Sequence, residues 1–474
     1  MTNDNATAPV AAIWRGGEPV YDRGETVCVI GAGASGLAAV KNLREQGFAV
    51  DCYERETAVG GAWNARSGRG PAPASTHLIT SRPCAQFPDF PMPDDWPDFP
   101  RHTQMLAYLE RYADHFGLRE HIWFGTDVVR VEPAGPEPSG VRPAGEPSSR
   151  WDVSISGQRG GSSRIMRYAA VVVANGHAFL PNRPSYEGLA GYRGQTIHAS
   201  EYQGRSQLRG KRVLVVGAGN TGCDIAVDAG QVVTTCWHSS RRGYWYAPKY
   251  VLGRPVDQLA IRVQTMRLPQ RLRRALTQRA LRLAVGDLTR FGLRAPDHHF
   301  AESHPIVNSQ LIYQIGHGGV VPVPDIARFG RTDVTLADGR VIEPDLVIFA
   351  TGYVPTFEFL EPDILKTGGG ARPRLRWHLA APDRPTLAVV GLLQPDTAPL
   401  ACAHWQSVLF ANWLRVLDTA PERAREFWDR HAGADERRYH FAKVSDSPRH
   451  RFEVSHLVYL RALEQALNDL EAVK

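Results

Sequence analysis

Cysteine is scarce in this chain of 474 residues: there are six, at positions 28, 52, 84, 223, 236 and 402. They include no C-x-x-C pair and no metal-ligand spacing. This argues against an enzyme that passes electrons through a pair of close thiols. Cys28, Cys52, Cys223 and Cys236 fall in or beside expected core elements and read as buried, inert thiols. Long apolar runs are missing as well, and no stretch approaches the ~20 residues of a membrane span. Residues 1–24 are polar and rich in Pro and Gly, without the basic start and apolar centre of a secretory signal, so a cytoplasmic location is expected. The net charge of +6 is too small and too scattered to point to nucleic acid. A composition of 43% hydrophobic and 22% charged residues is that of a globular protein, and the length calls for two or three cores.

Glycine, by contrast, is placed with purpose. Gly31-Ala32-Gly33-Ala34-Ser35-Gly36 and Gly217-Ala218-Gly219-Asn220-Thr221-Gly222 are two copies of one fingerprint. Each follows an apolar β-branched run, residues 26–30 and 212–216, and each opens a helical pattern. In a strand, turn and helix of this kind the first glycine turns the chain and the second lets a pyrophosphate approach the backbone. The third packs the helix on the strand, and the helix N-terminus adds amide donors and positive dipole. Two dinucleotide sites are implied.

The ends of the following strands distinguish the two sites. After the first fingerprint the chain reaches Glu54, with Arg55 beside it, where a carboxylate accepts hydrogen bonds from a ribose diol. After the second, the equivalent strand ends in His238-Ser239-Ser240-Arg241-Arg242. No carboxylate stands there, and two guanidinium groups suit the 2′-phosphate of NADPH. Of the two, Arg241 follows the Ser239-Ser240 turn most closely and is the stronger candidate.

Between the fingerprints, the aromatic and Pro-rich stretch 86–96 must be a defined loop. A helix is expected over 102–116, antiparallel strands at 127–131 and 151–155, and a flexible hairpin insertion at 133–150. Residues 169–174 read as a buried parallel strand that closes on Gly176. Residues 253–300 read as a helical insertion, rich in arginine and broken by Pro255, Pro269 and Gly286, that docks on the surface and lines a substrate entrance. A hairpin with an Asp338-Gly339 turn and a second buried strand at 345–350 follow, and the last sixty residues are helical, with Gln406 in the first of these helices.

Tyr192-x-Gly194-x-x-x-His198-x-x-x-Tyr202 resembles the F-x-G-x-x-x-H-x-x-x-[FY] signature of flavin-containing monooxygenases, with Tyr for Phe at the first position. The same resemblance takes in both fingerprints, Gly60-Gly61-Ala62-Trp63, the loop from Phe87 to Trp96, and Phe349-Ala350-Thr351-Gly352-Tyr353. Baeyer-Villiger monooxygenases are similar but usually follow the histidine with Trp-Pro, where this chain has Tyr202-Gln203.

The resemblance implies an α/β fold of two doubly wound Rossmann-like domains, the NADPH domain inserted in the FAD domain. The expected divisions are 25–205 and 331–474 for FAD and 206–330 for NADPH. It also implies the chemistry: NADPH reduces FAD, oxygen adds at the flavin C4a carbon, and the hydroperoxide passes one oxygen atom to a nucleophilic N, S or C of a small molecule. By motif, Gly61, Ala62 and Trp63 cover the flavin, Val128 meets the adenine through its backbone, and Gly176 belongs to the cofactor site. Asn220 and Thr221 approach the nicotinamide nucleotide, Thr351 and Gly352 lie against the cofactors, and His198 and Tyr202 pack between domains. Family members with a long-lived hydroperoxide carry an Asn beside the flavin where this chain reads Leu78-Ile79-Thr80-Ser81. Thr80 and Ser81 are the candidate catalytic hydroxyls. Baeyer-Villiger oxidation, an NADPH reductase and a flavin-binding sensor remain as alternatives, and a homodimer stays open.

Overall fold

The computed structural model describes residues 12–15, 18–65, 73, 75–135, 150–157, 163–300, 302–367, 372–431, 439 and 452–472. Its first unit contains β1 (Val27–Ile30), α1 (Ala34–Glu45), β2 (Val50–Glu54), α2 (His102–His115), β3 (Ile122–Phe124) and β4 (Ala170–Val173). A second unit follows with β5 (Gln195–His198), β6 (Val213–Val216), α3 (Asn220–Gly230) and β7 (Cys236–Ser239). It continues with α4 (Val256–Thr265), α5 (Gln270–Val285), β8 (Val321–Val323) and β9 (Leu346–Phe349). The chain returns to the first unit through β10 (Leu387–Val389), α6 (Pro399–Thr419) and α7 (His456–Glu471).

The first sheet runs β10-β4-β1-β2-β3 and the second β5-β9-β6-β7-β8, with every adjacent pair parallel. Val27 to Ile30 and Val213 to Val216 are buried throughout, as strands covered on both faces must be. On one face of the first sheet, Leu37 and Val40 of α1 meet Leu109 and Tyr112 of α2 and Leu409 and Phe410 of α6 in one apolar cluster. The expected strands at 127–131 and 151–155 pair antiparallel, and the Asp338-Gly339 hairpin joins Val334–Leu336 to Val341–Ile342. Most of the expected insertion at 133–150 lies outside the described residues.

Sheet membership departs from the expected divisions. Residues 195–198 pair with 346–349 inside the second sheet, so strands of that unit lie on both sides of 206–330. β5 is short and mostly polar and β9 short and apolar, and only their long-range hydrogen-bond partners assign them to a sheet. Cys28, Cys52, Cys223 and Cys236, expected in or beside core elements, are fully buried, and so is Cys402 of α6. Burial pushes the Cys28, Cys52 and Cys236 thiols upward, which suits an inert state. Among the described residues no helix is long and apolar enough to cross a membrane, and no cluster of His, Cys, Asp and Glu could hold a metal ion.

Candidate functional site: two nucleotide turns on one cavity

Both fingerprints fold as strand, turn and helix. Gly31 and Gly217 take φ of +100° and +113°, a region that favours glycine. The third glycine of each copy packs on the first: a Cβ on Gly36 would stand 1.8 Å from the Gly31 carbonyl oxygen, and one on Gly222 would stand 1.9 Å from that of Gly217. The helix N-termini are thereby fixed against their turns.

A cavity of about 1610 Å³ joins the two turns. Gly31, Gly33, Ala34 and Ser35 line it from the first fingerprint, and Asn220 and Thr221 line it from the second. Ala32 and Gly36 lie behind the first turn, and Gly217, Gly219 and Gly222 lie behind the second; none of these five reaches the cavity. Glu54 ends β2 on the cavity wall, and its Oε2 accepts from Ala32 N at 2.7 Å while Oε1 accepts from Glu56 N at 2.9 Å. Burial raises the Glu54 carboxyl above its ordinary value, although these two amides oppose the shift. Each oxygen keeps a lone pair for a further donor. Arg55 lines the cavity with its guanidinium over the Phe179 ring, 5.1 Å from the centroid. Gly61, Ala62 and Trp63 form a 3₁₀ turn on the same wall, joined there by Val128 and Gly176.

The two candidate hydroxyls separate. Thr80 lines the cavity, whereas Ser81 is fully buried and does not. Ser81 precedes the short helix Arg82–Ala85, and its backbone N–H donates to Asp257 Oδ2 on α4 at 2.6 Å. The expectation of a catalytic Ser81 is thus corrected: the helix start turns its side chain into the protein.

The end of β7 lies apart from the cavity, and so do Ser240, Arg241, Arg242, Thr351 and Gly352. Arg242 is clamped by Asp297, whereas the Arg241 side chain is exposed and holds no ion pair among the described residues. His198 is buried, with Nε2 3.1 Å from Gly352 O and Nδ1 2.9 Å from Ser200 Oγ. Tyr202 donates to Asp228 Oδ2 at 3.1 Å. His198 thus closes β5 and Tyr202 packs in the core of the second unit.

Sequence reasoning gave no site role to several residues in and around the cavity wall. Asp224 of α3 faces the cavity, accepts from Asn308 Nδ2 at 2.8 Å, and is pushed up to about 6 by burial against the opposing charge of Lys249. Its place two residues after Gly222 was the one available signal. Lys249 Nζ donates to Leu78 O at 3.0 Å and so ties the second unit to the loop that carries Thr80. Gln406 Oε1 accepts from Gly391 N at 2.9 Å, and its Nε2 donates to His378 O and Tyr459 Oη. Two cavity residues, Tyr353 and Thr356, carry buried hydroxyls without a protein partner. A side-chain-free glycine turn, a helix N-terminus and unpartnered buried hydroxyls on one wall fit a large polar ligand with phosphates.

The family model described as flavin-binding monooxygenase-like matches residues 24–470. Flavin-containing monooxygenase 5 of Oryctolagus cuniculus is 32% identical over 418 residues, covering 85% of this chain and 76% of its own. Among solved structures, S-allyl-L-cysteine S-oxygenase from Allium sativum superposes with a TM-score of 0.61 at 20% identity, covering 94% of this chain and 88% of that one. OTEMO, solved in complex with FAD and NADP, gives a TM-score of 0.67 at 18% identity over 94% of this chain and 97% of that one. The chain belongs to the flavin-binding monooxygenase-like family. It is an FAD- and NADPH-dependent monooxygenase that transfers one oxygen atom of O2 to a nucleophilic centre of a small molecule.

Proposed function

We propose that this enzyme oxygenates a soft nitrogen or sulfur nucleophile in the cytoplasm, with FAD held on the first fingerprint and NADPH on the second. The observation that carries the reading is the shared cavity: the amide-rich starts of α1 and α3 open onto one continuous space, which suits hydride transfer between two bound cofactors. In this reading Glu54 accepts from the ribose of FAD, the turn Gly61 to Trp63 covers the flavin, and Asn220 and Thr221 lie at the nicotinamide half of NADPH. Arg241 meets the 2′-phosphate. FAD supplies the oxygen-activating chemistry when bound.

The chain's own residues orient and enclose. Thr80 supplies the only hydroxyl of the pair Thr80 and Ser81 that reaches the cavity, and it is assigned the hydrogen bond to the reacting centre. Gln406 holds Gly391, whose backbone packs on Ser35 so closely that a Cβ would lie 2.1 Å from Ser35 Oγ. Helices α4 and α5 cover the substrate side and exclude water. Transfer to sulfur is supported by the S-oxygenase named above, and a cytoplasmic site by the free thiols.

The test is rapid mixing of the NADPH-reduced holoenzyme with labelled oxygen and a thioether. A lag before oxidised flavin returns, with one labelled atom in the sulfoxide, is the expected result. Immediate return of oxidised flavin with stoichiometric peroxide identifies a reductase and overturns the reading.

A further inference from the structure

Part of the cavity wall carries no fingerprint residue. Val256, Leu259 and Val263 of α4 and Leu276 and Leu281 of α5 give it an apolar stretch, beside the polar side chains of Asp257, Arg262, Arg273 and Thr277 from the same helices. Where α4 ends, that wall turns polar. Gln264 Nε2 donates to Asp396 Oδ2 at 3.2 Å, and Asp396 Oδ1 accepts from His456 N at 2.8 Å and lies 2.7 Å from His456 Nδ1. Gln264, Asp396 and Thr397 all line the cavity.

One acceptor here is buried and unfilled: Gln264 Oε1 has no hydrogen-bond partner among the described residues. Beside it Thr397, 5% exposed, has only the weak Cys84 thiol as a side-chain partner for its hydroxyl. A buried acceptor left without a donor is unfavourable. Although burial opposes it, the His456 hydrogen bonds hold the Asp396 carboxyl below its ordinary value, so the carboxylate presents acceptor lone pairs only. Gln264 Oε1 and the Asp396 carboxylate call for a donor, and the Thr397 hydroxyl can accept from one as well.

We infer that Gln264, Asp396 and Thr397 form a specificity subsite for a hydrogen-bond-donating group, a primary ammonium or a hydroxyl, at the far end of an apolar chain. The chain lies along α4 and α5, and its nucleophilic atom reaches the oxygenation site. The subsite rests on the reading of this cavity as the oxygenation site.

The probes are thioethers of equal length ending in methyl, hydroxyl or ammonium. Binding to the FAD-loaded enzyme is measured by calorimetry, and sulfoxide formation is measured separately. Both donor-ended thioethers are expected to bind about tenfold tighter than the methyl-ended one. Gln264→Leu and, independently, Thr397→Val are expected to erase that preference while binding of the methyl-ended probe stays within twofold. Equal binding of all three probes by the natural enzyme, or a preference that survives both substitutions, overturns the subsite. A binding preference without any sulfoxide supports the subsite and sinks oxygen transfer instead. Sulfoxide formation without a preference does the reverse.

Discussion

Arg242 is gripped by Asp297: its Nε and Nη2 each donate to the Asp297 carboxylate at 2.9 Å. The Arg242 hydrogen bond is the main reason the Asp297 carboxyl lies low, at about 2. A guanidinium whose fork is filled in this way has little left for a phosphate. Arg241, its exposed neighbour, has its donors open to solvent. Truncating Arg241 to Ala should weaken NADPH by about 1.5–3 kcal/mol, or roughly ten- to a hundredfold, and leave NADH nearly unchanged. Arg242→Ala should hardly alter the ratio of kcat/KM for the two coenzymes. A natural ratio retained in Arg241→Ala would remove the phosphate role.

Substitutions at the third and second glycines should separate the two cofactor sites. Gly36→Val forces a side chain onto the Gly31 carbonyl, so the protein should purify colourless or fail to accumulate. Gly219→Phe should keep its yellow FAD, remain reducible by dithionite, and lose reduction by NADPH. Absorbance at the flavin maximum, read with each reductant in turn, decides this. Loss of flavin from Gly219→Phe would mean that the sites are reversed.

Thr80 is the hydroxyl of the loop that faces the cavity, so it should govern how much oxygen escapes as peroxide. Removing the hydroxyl in Thr80→Val is expected to raise the peroxide yield per NADPH several-fold. Thr80→Asn, which restores an amide donor, should lower it below that of the natural enzyme. Peroxide quantified against NADPH consumed tests both, and equal yields in all three proteins would show that Thr80 is a wall residue only.

Asp224 carries a pH dependence of definite sign. Its carboxyl titrates at about 6 in the fold against an ordinary 3.8, with Lys249 and Asp228 as the charged neighbours. The folded state therefore binds the proton more tightly than the unfolded one, and ionisation above pH ~6 works against the fold. The natural protein should gain stability at this group as pH falls from about 6 towards 4. Asp224→Asn removes the ionisation, so its advantage should be greatest above pH ~6, up to about 3 kcal/mol, and vanish below pH ~4. Denaturation midpoints of the holoenzyme across that range provide the measurement; a constant difference would refute the assignment.

The sequence by itself determined whatever depends on local spacing. Two glycine fingerprints with β-branched runs before them and helical patterns after them specify two nucleotide turns, because strand, turn and helix are built from neighbouring residues. Glu54 at one strand end and Arg241 at the other were legible for the same reason. Tertiary structure decided what depends on partners distant in the chain. Strands β5 and β9 join the second sheet through a register that pairs Gln195 with Leu346, far apart in the chain. Asp257, 176 positions from Ser81, accepts from its amide, and Asp297 fills the fork of Arg242 across 55 positions. The polar wall of Gln264, Asp396 and Thr397 exists only where α4 meets the segment before α6. None of these three residues carries a local pattern, since a hydrogen bond between distant segments leaves no periodicity in the sequence.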